Sequence, residues 1–237
     1  MQTFESILRT SNCRICRSPI EWEQAVKPNG RPYEWEVTIC DRCDEQQKVE
    51  SADQSHMISE RKAAFRASIP KVFLDTDRSR LPAVLIQAIE DYRHSRQGLA
   101  FIGKSGAGKT RAMFLLLERL VGQGKSIAWI TATDLAYFAA DQFSNDPQEK
   151  HEAKERLRLL RSAKVAFIDD LGKGRLTDRV ESEFFDILDT RTREGLPTMW
   201  TSNSGGRDLL AMFSADRADA LLRRLGREFS TVVTCSK

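Results

Sequence analysis

The run Gly103-Lys104-Ser105-Gly106-Ala107-Gly108-Lys109-Thr110 constrains this chain more than any other segment. It fits the pattern G-x-x-x-x-G-K-[ST]. An apolar stretch, Leu99 to Ile102, precedes it, and a helical stretch from Arg111 to Val121 follows, with Ala112, Met113, Leu116, Leu117 and Leu120 on one face. Strand, glycine-rich turn and helix in that order make a phosphate-binding loop. The glycines let the backbone turn tightly and aim its N–H groups at phosphate oxygens, and the helix amino terminus adds a favourable dipole. Lys109 is expected to reach the β- and γ-phosphates of ATP, and the Thr110 hydroxyl to bind magnesium. Gly103, Ser105, Gly106, Ala107, Gly108 and Arg111 complete the expected nucleotide contacts.

The pattern around the loop alternates strands with helices. Strand-like segments are predicted at Ser126–Ile130, Val165–Ile168, Thr198–Ser202 and Phe229–Thr234. Helices are predicted at Asp134–Phe143, Gln148–Arg161, Asp178–Glu194 and Asp216–Leu225. Val180, Phe184, Ile187 and Leu188 share one helical face, as do Ala218, Leu221, Leu222 and Leu225. The order argues a three-layer αβα core around a parallel sheet.

Two carboxylates, Asp169 and Asp170, follow the apolar strand Val165–Ile168. That places them at the carboxyl edge of the sheet, where open α/β folds bind ligands. Asp169 is expected to hold magnesium through water and Asp170 to orient or deprotonate the attacking water, since phosphoryl transfer depends chiefly on positioning and charge. Asn203, after Thr198–Ser202, could lie between loop and carboxylates and align the water; a plain turn asparagine is the competing reading.

Of five cysteines in the 237 residues, four fall in two C-x-x-C pairs, Cys13/Cys16 and Cys40/Cys43. Thiolates favour tetrahedral zinc, and two such knuckles gather four sulfurs where there is little core to hold them. Four cysteines leave no open position for catalysis. A hairpin is predicted between the pairs, from alternation over residues 21–26, a turn at Pro28-Asn29-Gly30, and alternation over 33–39. Its glutamates, Glu21, Glu23, Glu34 and Glu36, suit a protein partner better than phosphates. Cys235, His56, His94 and His151 show no ligand spacing. Residues 44–67, rich in charged and small polar side chains, read as a solvated helical linker. The expected organisation is a zinc module over 1–45, a linker over 46–67 and an ATPase domain over 68–237.

Composition narrows the class. Hydrophobic residues at 41% and charged residues at 30% describe a globular chain, and the formal charge of +3 is too small to announce nucleic-acid binding. No run approaches the roughly 20 apolar residues that span a bilayer, and the opening residues lack a secretory signal, so a cytoplasmic protein with no membrane partner is expected.

Taken together the motifs resemble the DnaC/DnaI/IstB-like branch of AAA+ ATPases, over about Ser68 to Thr234. The resemblance rests on Ile69-Pro70-Lys71-Val72-Phe73, the phosphate loop, Ile130-Thr131-Ala132 with Asp134-Leu135, Ile168-Asp169-Asp170-Leu171-Gly172, Thr201-Ser202-Asn203 and Ala220–Leu225. It implies an AAA+ P-loop core, Asn203 as the sensor residue, and Arg224 as the arginine that completes a neighbouring subunit's ATP site. Arg223 and Arg227 compete with Arg224 for that role, and any such finger requires self-association into an oligomer. It also implies that the helical pair 134–161, carrying Lys150, His151, Lys154, Arg156, Arg158 and Arg161, contacts nucleic acid; interleaved glutamates allow a merely solvated helix instead. Asp170 departs from the glutamate many AAA+ proteins carry, which implies slow turnover.

The resemblance, with the zinc module, implies a helicase loader that docks on a replicative helicase through the module and on single-stranded DNA through the core. The alternative is an IstB-like transposition regulator acting on duplex DNA and a transposase. A P-loop kinase and a nucleotide-gated adaptor without meaningful hydrolysis are the further classes.

Overall fold

The computed structural model describes residues 6–34, 36–172, 176–205, 207–211, 213–226 and 228–235. The chain divides into two compact units, 1–59 and 60–237.

In the first unit, β1 (Ser6–Asn12) pairs antiparallel with β2 (Pro19–Ala25), Ser6 opposite Ala25 and Asn12 opposite Pro19. The first cysteine knuckle is the turn between them, closed by Cys13 N donating to Ser18 O at 2.8 Å and Arg17 N to Cys13 O at 2.9 Å. This corrects the predicted hairpin: residues 33–39 are not the partner strand. The expected turn does form, with Lys27 N donating to Arg31 O and Tyr33 N to Ala25 O on either side of a single bridge between Val26 and Pro32. The Gln24 side-chain amide then donates to Tyr33 O, where the Ala25 N–H would have carried the ladder on. The following segment instead lays Thr38 O on Arg14 N and Val37 O on the Ser11 hydroxyl, which brings Cys40 to the knuckle. Helix α1 (Asp41–Ser68) starts there, and the boundary between units falls within it. Residues 46–67, expected as linker, all belong to this helix.

The second unit begins with α2 (Lys71–Leu74), a 3-10 turn at Arg78–Arg80 and α3 (Ala83–Asp91). Then come β3 (Gly98–Gly103), α4 (Lys109–Gly122), β4 (Ile127–Thr131), α5 (Ala132–Asp141) and α6 (Pro147–Ser162). The remainder is β5 (Val165–Leu171), α7 (Asp178–Arg193), β6 (Thr198–Ser202), α8 (Arg207–Leu210), α9 (Ala215–Leu225) and β7 (Ser230–Cys235). Five parallel strands run in the order β4-β5-β6-β3-β7. Helices cover both faces, as parallel sheets require when crossovers are helical. This is the three-layer αβα core of an AAA+ P-loop protein.

Each layer has its own apolar interior. On one face Phe114 of α4 contacts Phe65, Phe73, Trp129 and Phe167, the last two edge-on with centroids 5.2 and 5.6 Å away. On the other, Leu135, Leu157, Phe184, Ile187, Trp200 and Leu221 pack together. Helix starts follow local chemistry: Thr131 caps α5 through Asp134 N, and Asp146 caps α6 through Gln148 N and Glu149 N, with Pro147 in the first turn.

Arg191 of α7 is wholly buried and, among the described residues, has no carboxylate partner. Its guanidinium donates to Leu160 O, Ala163 O, Pro197 O and the Thr198 hydroxyl, so the carbonyls at the end of α6 balance its charge. Burial pulls its pKa down to about 10. Among the described residues, no helix is long and apolar enough to cross a membrane.

Candidate nucleotide site and four-cysteine cluster

The turn after β3 is built from glycines that its shape demands. Gly106 and Gly108 have φ of +77° and +84°, where a side chain is strained. A Cβ on Gly108 would also lie 2.7 Å from Leu81 Cδ2. Leu81, with Pro82 and Phe73, forms an apolar wall of a cleft of about 800 Å³, whose polar side is the loop from Ser105 to Arg111 with Asp169, Asp170 and Asn203. Arg111 stands over the Phe73 ring, 5.5 Å from its centroid.

The predicted reactive side chains converge here. Lys109 Nζ donates to Gly103 O at 2.7 Å, Lys104 O at 3.0 Å and Asn203 Oδ1 at 2.9 Å. Burial pulls the Lys109 pKa down, opposed by the charges of the carboxylates nearby. Asn203 Nδ2 in turn donates to Asp170 Oδ1 at 2.8 Å, so one amide links the loop lysine to the second carboxylate. Thr110 Oγ1 donates to Asp169 Oδ1 at 2.9 Å. A hydroxyl and a carboxylate side by side are the oxygen donors magnesium takes in phosphate sites, so Thr110 and Asp169 fit that ion. Burial pushes the Asp169 carboxyl up, offset by hydrogen bonds from Thr201 and Thr110.

The carboxylates lie within the strand, not after it. β5 continues to Leu171 through a register shift between Ile168 and Leu171, and Asp170 takes φ +60°. Aspartate tolerates that left-handed region better than most residues. Thr201, which sequence reasoning missed, holds the distortion: its hydroxyl donates to Asp169 Oδ1 and accepts from Asp170 N at 2.9 Å. The signal available was its place two residues before Asn203 on a fully buried strand.

The arginines of α9 lie apart from these groups. Arg224 donates to Asp189 Oδ1 of α7 and stacks over Phe185 at 4.6 Å, leaving its side chain 13% exposed. Arg223 is 65% exposed, with Glu228 at 3.8 Å. Arg227 lies outside the described residues. On α6, Arg161 is held by Glu183 and Asp186, and Arg158 by Glu155. Lys150, His151 and Lys154 are exposed.

In the first unit, the sulfurs of Cys13, Cys16, Cys40 and Cys43 all lie within 4.8 Å of one another. Cys16 and Cys40 sulfurs are 3.6 Å apart, and Cys40 N points at Cys13 Sγ at 3.5 Å. Four thiolates around one zinc stand roughly 3.8 Å apart, so the cluster fits a closed structural zinc site.

A glycine-rich loop on a helix amino terminus, a lysine, and a hydroxyl–carboxylate pair on an αβα sheet of this strand order define a nucleotide-binding protein of AAA+ type. The chain belongs to the IstB-like ATP binding protein family, whose model matches residues 46–236. No curated protein matches it. Among solved structures it is similar to DnaI, at 19% identity and TM-score 0.58, covering 71% of this chain and 95% of that one. It is also similar to the DnaC helicase loader, at 17% identity and TM-score 0.55, covering 70% and 100%. A third is the replication initiator DnaA bound to AMPPCP and single-stranded DNA, at 18% identity and TM-score 0.51, covering 65% and 44%. At these identities the likeness is one of fold.

Proposed function

We propose that the protein is an ATP-hydrolysing helicase loader of the replication machinery. Lys109 and the loop amides hold the phosphates, and Asn203 sets Asp170 where it orients the attacking water. Magnesium at Thr110 and Asp169 would supply charge neutralisation. Asp170 has a shorter arm than the glutamate many AAA+ proteins carry, which favours slow turnover.

The observation that carries loading is the module ahead of the family-matched core. Its cysteine cluster would be locked by structural zinc, and it exposes Leu8 at 64%, opposite Glu23 in the β1–β2 ladder, and Ile15 at 48%. Exposed apolar residues on a small module suit a protein partner, here a replicative helicase. The solved DnaI and DnaC folds support the same direction. Lys150 and Lys154 on α6 are the candidate contacts to single-stranded DNA. Arg224, or the more exposed Arg223, would complete a neighbour's site in an ATP-dependent oligomer in the cytoplasm; the Asp189 contact would have to open for Arg224 to serve.

The family match favours a second reading, a transposition regulator that assembles on duplex DNA and acts on a transposase. Light scattering of the protein mixed with the replicative helicase of its host, with and without ATP, separates the two. A stable complex that Leu8→Asp abolishes is the expected result. No complex in any nucleotide state, with ATP-dependent assembly on duplex DNA, would overturn the loader reading in favour of the second.

A further inference from the structure

The sheet ends at β4 with one edge open. Ser126 O accepts from Val165 N, so Ser126, Ala128 and Ile130 direct their backbone groups to β5. Backbone direction alternates along a strand, so Ile127 and Trp129 turn their N–H and C=O groups outward. Among the described residues those groups have no partner.

This edge is the floor of a cleft of about 850 Å³. One wall is the end of α1, with Ala64 and Phe65; the other is α5 and α6, with Phe138 and Leu159. Trp129 is fixed in place by its indole N–H, which donates to the Ser68 hydroxyl at 3.1 Å. The rim carries Arg61, Lys125, Arg156 and Lys164, none in an ion pair among the described residues. Asp134, the acid of the lining, is engaged by the Thr131 hydroxyl at 2.7 Å.

We propose that this cleft binds an extended acidic peptide segment of a protein partner, added to β4 as a sixth strand of the sheet. The outward carbonyls of Ile127 and Trp129 require N–H donors at strand spacing, which a peptide backbone supplies and a sugar-phosphate chain does not. The apolar walls accept alternate side chains, and four cations at the rim select acidic ones. An open edge beside an apolar cleft is otherwise an aggregation hazard, and a partner strand removes it.

The test uses the full chain and a fluorescein-labelled peptide of about ten residues, alternating Glu and Val, followed by anisotropy. Its counterparts are the same peptide N-methylated at alternate residues, a Lys-for-Glu version, and a labelled oligothymidylate. The Glu peptide should bind, and N-methylation, Lys replacement, or the protein double variant Arg156→Glu with Lys164→Glu should each weaken binding by about tenfold or more. Nucleotide binding by the double variant should be unchanged. Failure of the Glu peptide to bind overturns the proposal, as does undiminished binding of the N-methylated peptide or undiminished binding by the charge-reversed protein. Oligothymidylate that displaces the peptide and loses affinity in the same double variant would reassign the cleft to nucleic acid.

Discussion

The described residues of the first unit bury Cys13, Ile20 and Cys43 as their apolar interior, with Trp22, Val37 and Ile39 packed against them. Residues 60–237 enclose two layers of large side chains, among them Phe101, Phe114, Phe167, Phe184 and Trp200. The small interior of the first unit offsets little of the entropy of ordering its chain, and the structural zinc proposed for the four cysteines would supply the difference. The second is held by packing, and its reactive groups are tied to one another by side-chain hydrogen bonds on strands and a helix of that packed core. The expectation is that order in the first unit depends on metal and order in the second does not.

Removing metal should have the largest effect. Chelation under reducing conditions should erase amide-exchange protection in residues 6–34 while leaving β3 to β7 protected, because closed zinc sites contribute roughly 10–16 kcal/mol to small folds. Protection of the first unit without metal would break the comparison. Next is Phe114→Ala, which removes the ring that four aromatic neighbours share. A loss of about 3–5 kcal/mol is expected in denaturant unfolding of the second unit, with zinc content per chain unchanged.

At the site itself, Asp170→Asn and Thr201→Val should retain ATP in equilibrium binding yet lower hydrolysis, by about a hundredfold and about tenfold respectively. Thr201→Ser should restore most of the rate, since it keeps the hydroxyl; equal defects in Ser and Val variants would reduce Thr201 to a packing residue. The smallest effect is expected from Asp146→Ala, which removes the cap of α6 and should cost about 1 kcal/mol in thermal unfolding, with hydrolysis unaffected.

Much of the second unit was legible because its periodicities are long. The α4 face from Ala112 to Leu120 is buried as its spacing predicts, and Thr198–Ser202 is a strand with the predicted bounds. The phosphate loop, the carboxylates and Asn203 meet in one cleft. What escaped was set by contacts distant in sequence. Alternation at residues 33–39 signalled a strand, but the pairing ends at Tyr33, whose carbonyl takes the Gln24 side chain, and β2 is paired along its length by Ser6–Asn12 instead. The extension of β5 past Ile168 depends on Thr201, thirty-one residues beyond Asp170. The burial of Arg191 has no local signal in the sequence, because the carbonyls that close around it come from Leu160, Ala163 and Pro197.

That buried guanidinium has a mechanical meaning. It clamps the end of α6 to the root of β6, through Pro197 O and the Thr198 hydroxyl, and Asn203 follows directly from the other end of the same strand. The same guanidinium therefore anchors two elements at once: it closes the end of α6, and it fixes the start of the five-residue strand that carries Thr201, and then Asn203, into the nucleotide cleft.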